Sequence, residues 1–162
     1  ASDLERIGDQ TKNIAKASRW LSKLPQNQTV LSIDNLFNLI NSNFRKVGNS
    51  FNDEDSAKAK KIWLNDAEIN KQYDILFRET LTYMLEDPRN IASCSQIIAI
   101  AKNLERIGDH TQNVAEMIYY YVTGNHIAKK FSANELKQYR TQKKYKTNIS
   151  NIFKKAKLIA KK

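Results

Sequence analysis

The sequence predicts an all-α chain of antiparallel helices, and three observations carry that prediction. Only four Gly and two Pro interrupt 162 residues, so few positions break a helix or force a turn. Apolar side chains recur at spacings of three and four over most of the first 124 residues, the period of a helix with one buried face. The hexapeptide Leu4-Glu5-Arg6-Ile7-Gly8-Asp9 returns unchanged one hundred residues later as Leu104-Glu105-Arg106-Ile107-Gly108-Asp109, and Thr11/Thr111, Asn13/Asn113 and Ala15/Ala115 continue the match. The chain is therefore built from copies of one structural unit.

Each element follows from its own pattern. The first helix runs from about Asp3 to Lys23, with Leu4, Ile7, Thr11, Ile14, Ser18 and Leu21 on one stripe, and Pro25 ends it. A second starts near Thr29 or Ser32 and turns Leu36, Leu39, Ile40, Phe44 and Val47 inward until Asn52-Asp53 breaks and recaps the chain. The third reads as a single long helix from about Asp55 to Leu85, with Ile62, Ile69, Tyr73, Leu76, Leu81 and Met84 inward. Asp87-Pro88 stops it, and Pro88 suits the first turn of the helix that follows. In the fourth, Ile97, Ile100, Leu104, Ile107, Thr111, Val114 and Ile118 form a bundle seam, and Gly124 is placed to cap its C-terminus. Loops of a few residues between such helices imply antiparallel neighbours, hence a bundle.

Composition narrows the function classes. The hydrophobic content of 41% is enough for an ordinary core. One cysteine, Cys94, forms no intramolecular disulfide, which points to a reducing compartment, the cytoplasm by default. Its apolar helical surroundings make it a small core residue rather than a nucleophile. No apolar run reaches the 18 residues of a membrane span, and the start Ala-Ser-Asp-Leu-Glu is no signal peptide; it opens inside a helical motif, as if truncated. The net charge of +10 is uneven: residues 129–162 carry +11, leaving residues 1–128 at −1. A nucleic-acid reading based on the whole-chain charge is therefore misplaced for the body.

The duplicated motif puts two carboxylates at i and i+4 on one helix face. Glu105, Asp109, Asn113 and Glu116 extend it into a polar stripe, and the preceding helix offers Asp66 and Asn70 with Tyr73 beyond. Oxygen ligands from two neighbouring helices suit a hard or borderline cation, which would relieve the repulsion among them. A solvated helix face with Arg106 nearby shows the same spacing. Gly8 and Gly108, each inside a helix where Gly costs about 1 kcal/mol relative to Ala, imply close approach of a backbone or ligand, or packing inherited with the duplication. His110 has Gln10 as its counterpart and reads as a surface residue; His126 reads as solvated. No Glu has a His three residues on, so a di-iron carboxylate enzyme is disfavoured, and the scattered glycines form no phosphate-cradling loop.

The Glu-Arg-Ile-Gly-Asp motifs, Asp66-x-x-x-Asn70-x-x-Tyr73, Met84-Leu85-Glu86-Asp87-Pro88 and Tyr119-Tyr120-Tyr121-Val122-Thr123-Gly124 occur in an order that resembles the PhoU family over residues 1 to about 130. That resemblance implies two three-helix bundles whose E/DxxxD motifs hold multinuclear iron or zinc. Residues 29–124 would be one complete bundle, residues 1–24 the third helix of a preceding, truncated one, and residues 125–162 a basic extension. Glu105, Asp109, Asp66 and Asn70 would be metal ligands of the complete bundle, with Asn70 an amide where the pattern often has a second Asp. Glu5 and Asp9 would belong to a site whose other half is missing.

The resemblance further implies a regulator rather than an enzyme. Such a protein represses the phosphate-starvation response by bridging the Pst phosphate ABC transporter, through its ATPase subunit, and the PhoR sensor kinase. The first helix, left with an apolar stripe, is expected to pack on the complete bundle or on a second copy, favouring a homodimer. In the tail, Tyr145, Ile149, Ile152, Ala156 and Ile159 recur at spacings of four and three among lysines that include Lys143, Lys144, Lys154, Lys155 and Lys157. The pattern fits a basic amphipathic helix at an anionic inner membrane surface, a weak contact with RNA or DNA, or a solvated extension. A metal-free helical adaptor stays open as the alternative function.

Overall fold

The structure, a computed structural model, describes residues 1–23 and 31–127, apart from the side chains of residues 31, 32 and 66. Pro25 and the tail, with Lys143, Lys144, Lys154, Lys155 and Lys157, lie outside the described residues. Five α-helices follow in order: α1 (Ser2–Leu21), α2 (Leu31–Asn52), α3 (Ser56–Leu64), α4 (Asp66–Glu86) and α5 (Ile91–Thr123). No strand occurs among the described residues. Ala1–Ile127 forms one compact unit.

The 33-residue α5 is the axis, against which α1, α2, α3 and α4 all pack. At about 1.5 Å per residue it is roughly 50 Å long, enough to serve two cores along its length. The first core joins Leu36 and Ile40 of α2, Ile69, Tyr73 and Leu76 of α4, and Ile97, Ile100, Leu104 and Ile107 of α5. Ala17 of α1 is buried in it, and Ile7, Ile14 and Leu21 pack against it. The first helix is thus docked by Ile7, Ile14 and Leu21 of its expected stripe together with Ala17, whereas Leu4, Thr11 and Ser18 of that stripe are exposed. The second core sits where α3 meets the C-terminal half of α5, with Val47, Ala59, Ile62, Trp63, Ala115 and Ile118.

Two expectations about the elements need correction. The long third helix is two helices, broken at Asn65, whose N–H bonds back to the Ile62 carbonyl at 3.0 Å in a tightened last turn. The break is held by Gln112 of α5, whose Nε2 donates to the Trp63 carbonyl at 2.8 Å, one of the carbonyls a helix end leaves without an internal donor. Pro88 opens a separate 3₁₀ turn, Pro88–Asn90, before α5 begins, with the Asp87 carboxylate accepting from the Arg89 N–H at 2.9 Å. Phe44 and Leu81, expected inward, are exposed, as their neighbours Ile40, Val47 and Leu76 take the buried positions. Gly124 caps α5 in the left-handed conformation at φ 69°, as expected, where a side chain would be strained.

Candidate functional site

Glu105 defines the candidate site. It lies on the α5 stripe that faces α4 and is only 1% exposed, a position carboxylates occupy almost solely when paired. Its partner is Lys102, one turn earlier on the same helix, whose ammonium forms an ion pair with Glu105 Oε2. The same ammonium sits 5.5 Å from the centroid of the Tyr73 ring on α4. The Tyr73 phenol is pushed up to about 12, first by burial and then by the charges of Glu105 and Asp74. Glu105, Lys102 and Tyr73 therefore form one interlocked group across the α4–α5 seam.

The other expected ligands divide. Asn70 is buried on α4 and Asp109 is half-buried one turn beyond Glu105. Asp66 begins α4, and its side chain lies outside the described residues. Glu5 and Asp9 are exposed on α1, turned away from the stripe that docks, so the structure does not bring them to Glu105. No group of three or more His, Cys, Asp or Glu side chains among the described residues could hold a metal ion. Glu105 already has a built-in counter-cation in Lys102. Of the ligands expected on α4 and α5, Glu105 is therefore charge-paired within the chain.

The duplicated glycines also separate. A Cβ on Gly108 would lie 3.1 Å from Ile69 Cδ1 and 3.3 Å from Ile69 Cγ2, so this position is small because α4 packs against it. A Cβ on Gly8 would meet nothing within 4 Å. Close packing, not a ligand, accounts for Gly108.

A second polar cluster was not legible from the sequence. Asp3 Oδ1 lies 2.8 Å from His110 Nδ1 and accepts from Asn113 Nδ2 at 3.1 Å. The His110 hydrogen bond, then that of Asn113, holds the Asp3 carboxyl below its usual range. His110 is thus no free surface histidine but half of the latch that docks α1 on α5. Its only trace in the sequence was the i, i+3 placement of His110 and Asn113; the partner is 107 residues away. His126, exposed as expected, stacks on Tyr120 with ring centroids 4.6 Å apart. Cys94 is buried, and that burial pushes its thiol up, as suits a core residue.

The fold and the site together define a helical-bundle protein whose repeated helix carries a buried carboxylate at a helix–helix seam. The PhoU domain family matches residues 33–118, spanning α2 to α5. The chain belongs to the PhoU family. It is 39% identical over 125 residues to the phosphate-specific transport system accessory protein PhoU homolog of Caulobacter vibrioides, covering 76% of this chain and 54% of that protein. The homolog of Rhizobium meliloti is 44% identical over 126 residues, with 76% and 53% covered. A crystal structure of PhoU from Pseudomonas aeruginosa superposes with a TM-score of 0.72 at 31% identity, over 76% of this chain and 59% of that one. The phosphate transport system regulatory protein PhoU from Streptococcus pneumoniae superposes at 0.68 and 30%, over 78% and 60%. The chain spans about half the length of the curated relatives it matches.

Proposed function

We propose that the chain is an accessory regulator of phosphate uptake and cellular phosphate homeostasis. In this reading it restrains the phosphate-starvation response by acting between the ATPase subunit of the Pst transporter and the PhoR sensor kinase, with no catalytic role. The observation that supports it is the PhoU domain over residues 33–118, folded as a bundle with its repeat helix docked on it. Complementation tests it. Expressed in a bacterium lacking its own PhoU, the chain should restore repression of a phosphate-starvation reporter at high phosphate and co-purify with the transporter ATPase. A folded, abundant chain that leaves the reporter fully on would sink the reading.

Homodimer formation is part of the proposal, and α2 supports it. Phe37, Phe44 and Phe51 recur every seven residues on that helix and are 51%, 41% and 59% exposed, an apolar stripe of the kind that marks an interface. Sedimentation should show self-association that Phe44→Ser weakens. No helix among the described residues is long and apolar enough to cross a membrane. Attachment to the inner membrane surface is accordingly assigned to the tail, whose lysines each gain about 1 kcal/mol near an anionic leaflet. Binding to anionic vesicles should vanish when the chain is ended at Phe131. The Glu105–Lys102 pair favours a metal-free working form over one built on iron or zinc. Elemental analysis after purification without chelator or affinity metal checks it: stoichiometric iron or zinc lost with Glu105→Gln would reverse that assignment.

A further inference from the structure

Between α2 and α3 lies a cavity of about 380 Å³ whose lining residues, Ile62 apart, are polar or charged, although they present mostly apolar atoms to it. Asn43 and Lys46 reach it from one face of α2, and Lys58, Lys61 and Ile62 from one face of α3, with Asp53 at the turn between them. Helix pairs ordinarily fill such a seam with interdigitating apolar side chains. An amide is among the lining: Asn43 is only 3% exposed and makes no side-chain hydrogen bond to another described residue. A ligand with hydrogen-bonding oxygens entering the cavity would find that amide as a donor.

The charges choose the ligand. Lys58 is committed, its ammonium lying 2.9 Å from Asp53 Oδ2 and 3.3 Å from Asp55 Oδ2. Asp53 is the one carboxylate in the lining, and it shares Lys58 with Asp55. Lys46 and Lys61 have no carboxylate at ion-pair distance among the described residues, so the lining holds two ammonium groups outside any ion pair beside an amide donor, and the cluster as a whole is positive. Two ammonium groups and an N–H donor match a doubly charged phosphoryl group. We propose that the α2–α3 groove is a binding site for a phosphoryl-bearing small molecule, held by Lys46 and Lys61 as charge partners and by the Asn43 side-chain amide. The volume falls at the lower end of small-molecule pockets, about 300–1,000 Å³, and Ile62 provides an apolar wall. Both features favour a phosphate ester with a compact organic body over the free ion. The site is separate from the Glu105 group and does not depend on the phosphate-uptake reading.

Amide-resolved NMR on the full chain tests this, with inorganic phosphate, AMP and ADP titrated at constant ionic strength. Saturable shifts confined to residues 43–65 are expected, with an ester binding at least tenfold more tightly than orthophosphate. Equal or tighter binding of orthophosphate at the same amides keeps the site and assigns it to the free ion. The exposed pair Lys46→Ala and Lys61→Ala, together, should raise the dissociation constant at least tenfold with an unchanged circular-dichroism spectrum. Asn43→Asp, which keeps the shape and adds a negative charge, should abolish binding; if it unfolds the chain, the lysine pair decides alone. No saturable shift at residues 43–65 with any probe overturns the proposal. So do shifts that persist in the double lysine variant.

Discussion

At the scale of single residues, the duplicated motif is chemically identical in its two copies and physically different in each. Gly8→Ala meets open space and gains helix propensity, so it should stabilise the chain by about 0.5–1 kcal/mol. Gly108→Ala drives a methyl into Ile69, and overpacking costs of about 1–3 kcal/mol exceed the propensity gain, so it should destabilise. Ile69→Val removes the nearer of the two clashing methyls and should recover part of that loss. Urea denaturation of the four proteins checks the signs, and a stabilised Gly108→Ala would show that Ile69 has room to move. Glu105 carries a second prediction. Like-charge repulsion on a carboxylate stripe would make its removal harmless or stabilising; the pairing with Lys102 reverses this. Glu105→Ala leaves an ammonium without its buried partner and opens a void, for an expected loss on the order of 1–3 kcal/mol. Glu105 was legible from its spacing, but its burial depends on α4 and was not.

At the scale of elements, the docking of α1 decides whether the first copy of the motif belongs to the fold. The Asp3–His110 contact and the shared core of Ile7, Ile14 and Ala17 with Ile97, Ile100 and Leu104 make α1 antiparallel to α5. Because the two helices are copies, the pairing is approximately self-complementary: the counterpart of Asp3 opposite His110 is Asn103 opposite Gln10. That second latch is unmade, since Gln10 Oε1 is buried without a hydrogen bond and Asn103 Nδ2 donates to Ala99 of its own helix at 2.7 Å. Gln10→Leu should therefore stabilise, by about 1 kcal/mol, the cost of a buried acceptor left without a donor. The intact latch predicts a pH dependence. The Asp3 carboxyl is lowered from 3.8 in the folded chain, so its contribution is full above about that value and is lost as pH falls through the lower folded one. Asp3→Asn should flatten the acid limb of the unfolding curve. Helix identity and order were readable from apolar period, but the break at Asn65 was not. Ile62 and Ile69 are seven residues apart across it, so the stripe runs through the interruption without a lapse in phase.

At the scale of the whole molecule, the bundle was legible because amphipathic periodicity and short connections leave few alternatives. The sites were legible only in part, since the Asp3 latch and the α2–α3 groove join residues whose proximity depends on how helices pack. One consequence follows from the shortness of α3. A nine-residue helix lies below the roughly 12–15 residues at which an isolated helix persists in water. Its order is therefore borrowed from Trp63 and Ile62 in the second core and from Gln112 at the break. When those contacts let go, α3 melts and the groove disappears with it. Occupancy of the groove and helicity of α3 are then a single equilibrium, and any molecule that binds there acts as a folding ligand. Hydrogen exchange should find the α3 amides the least protected of the helical core in the free chain. At a hundredfold excess over the dissociation constant, a bound ligand should slow their exchange by about a hundredfold while leaving α4 and the centre of α5 unchanged. Through α3, the small end of the bundle reports on its solvent.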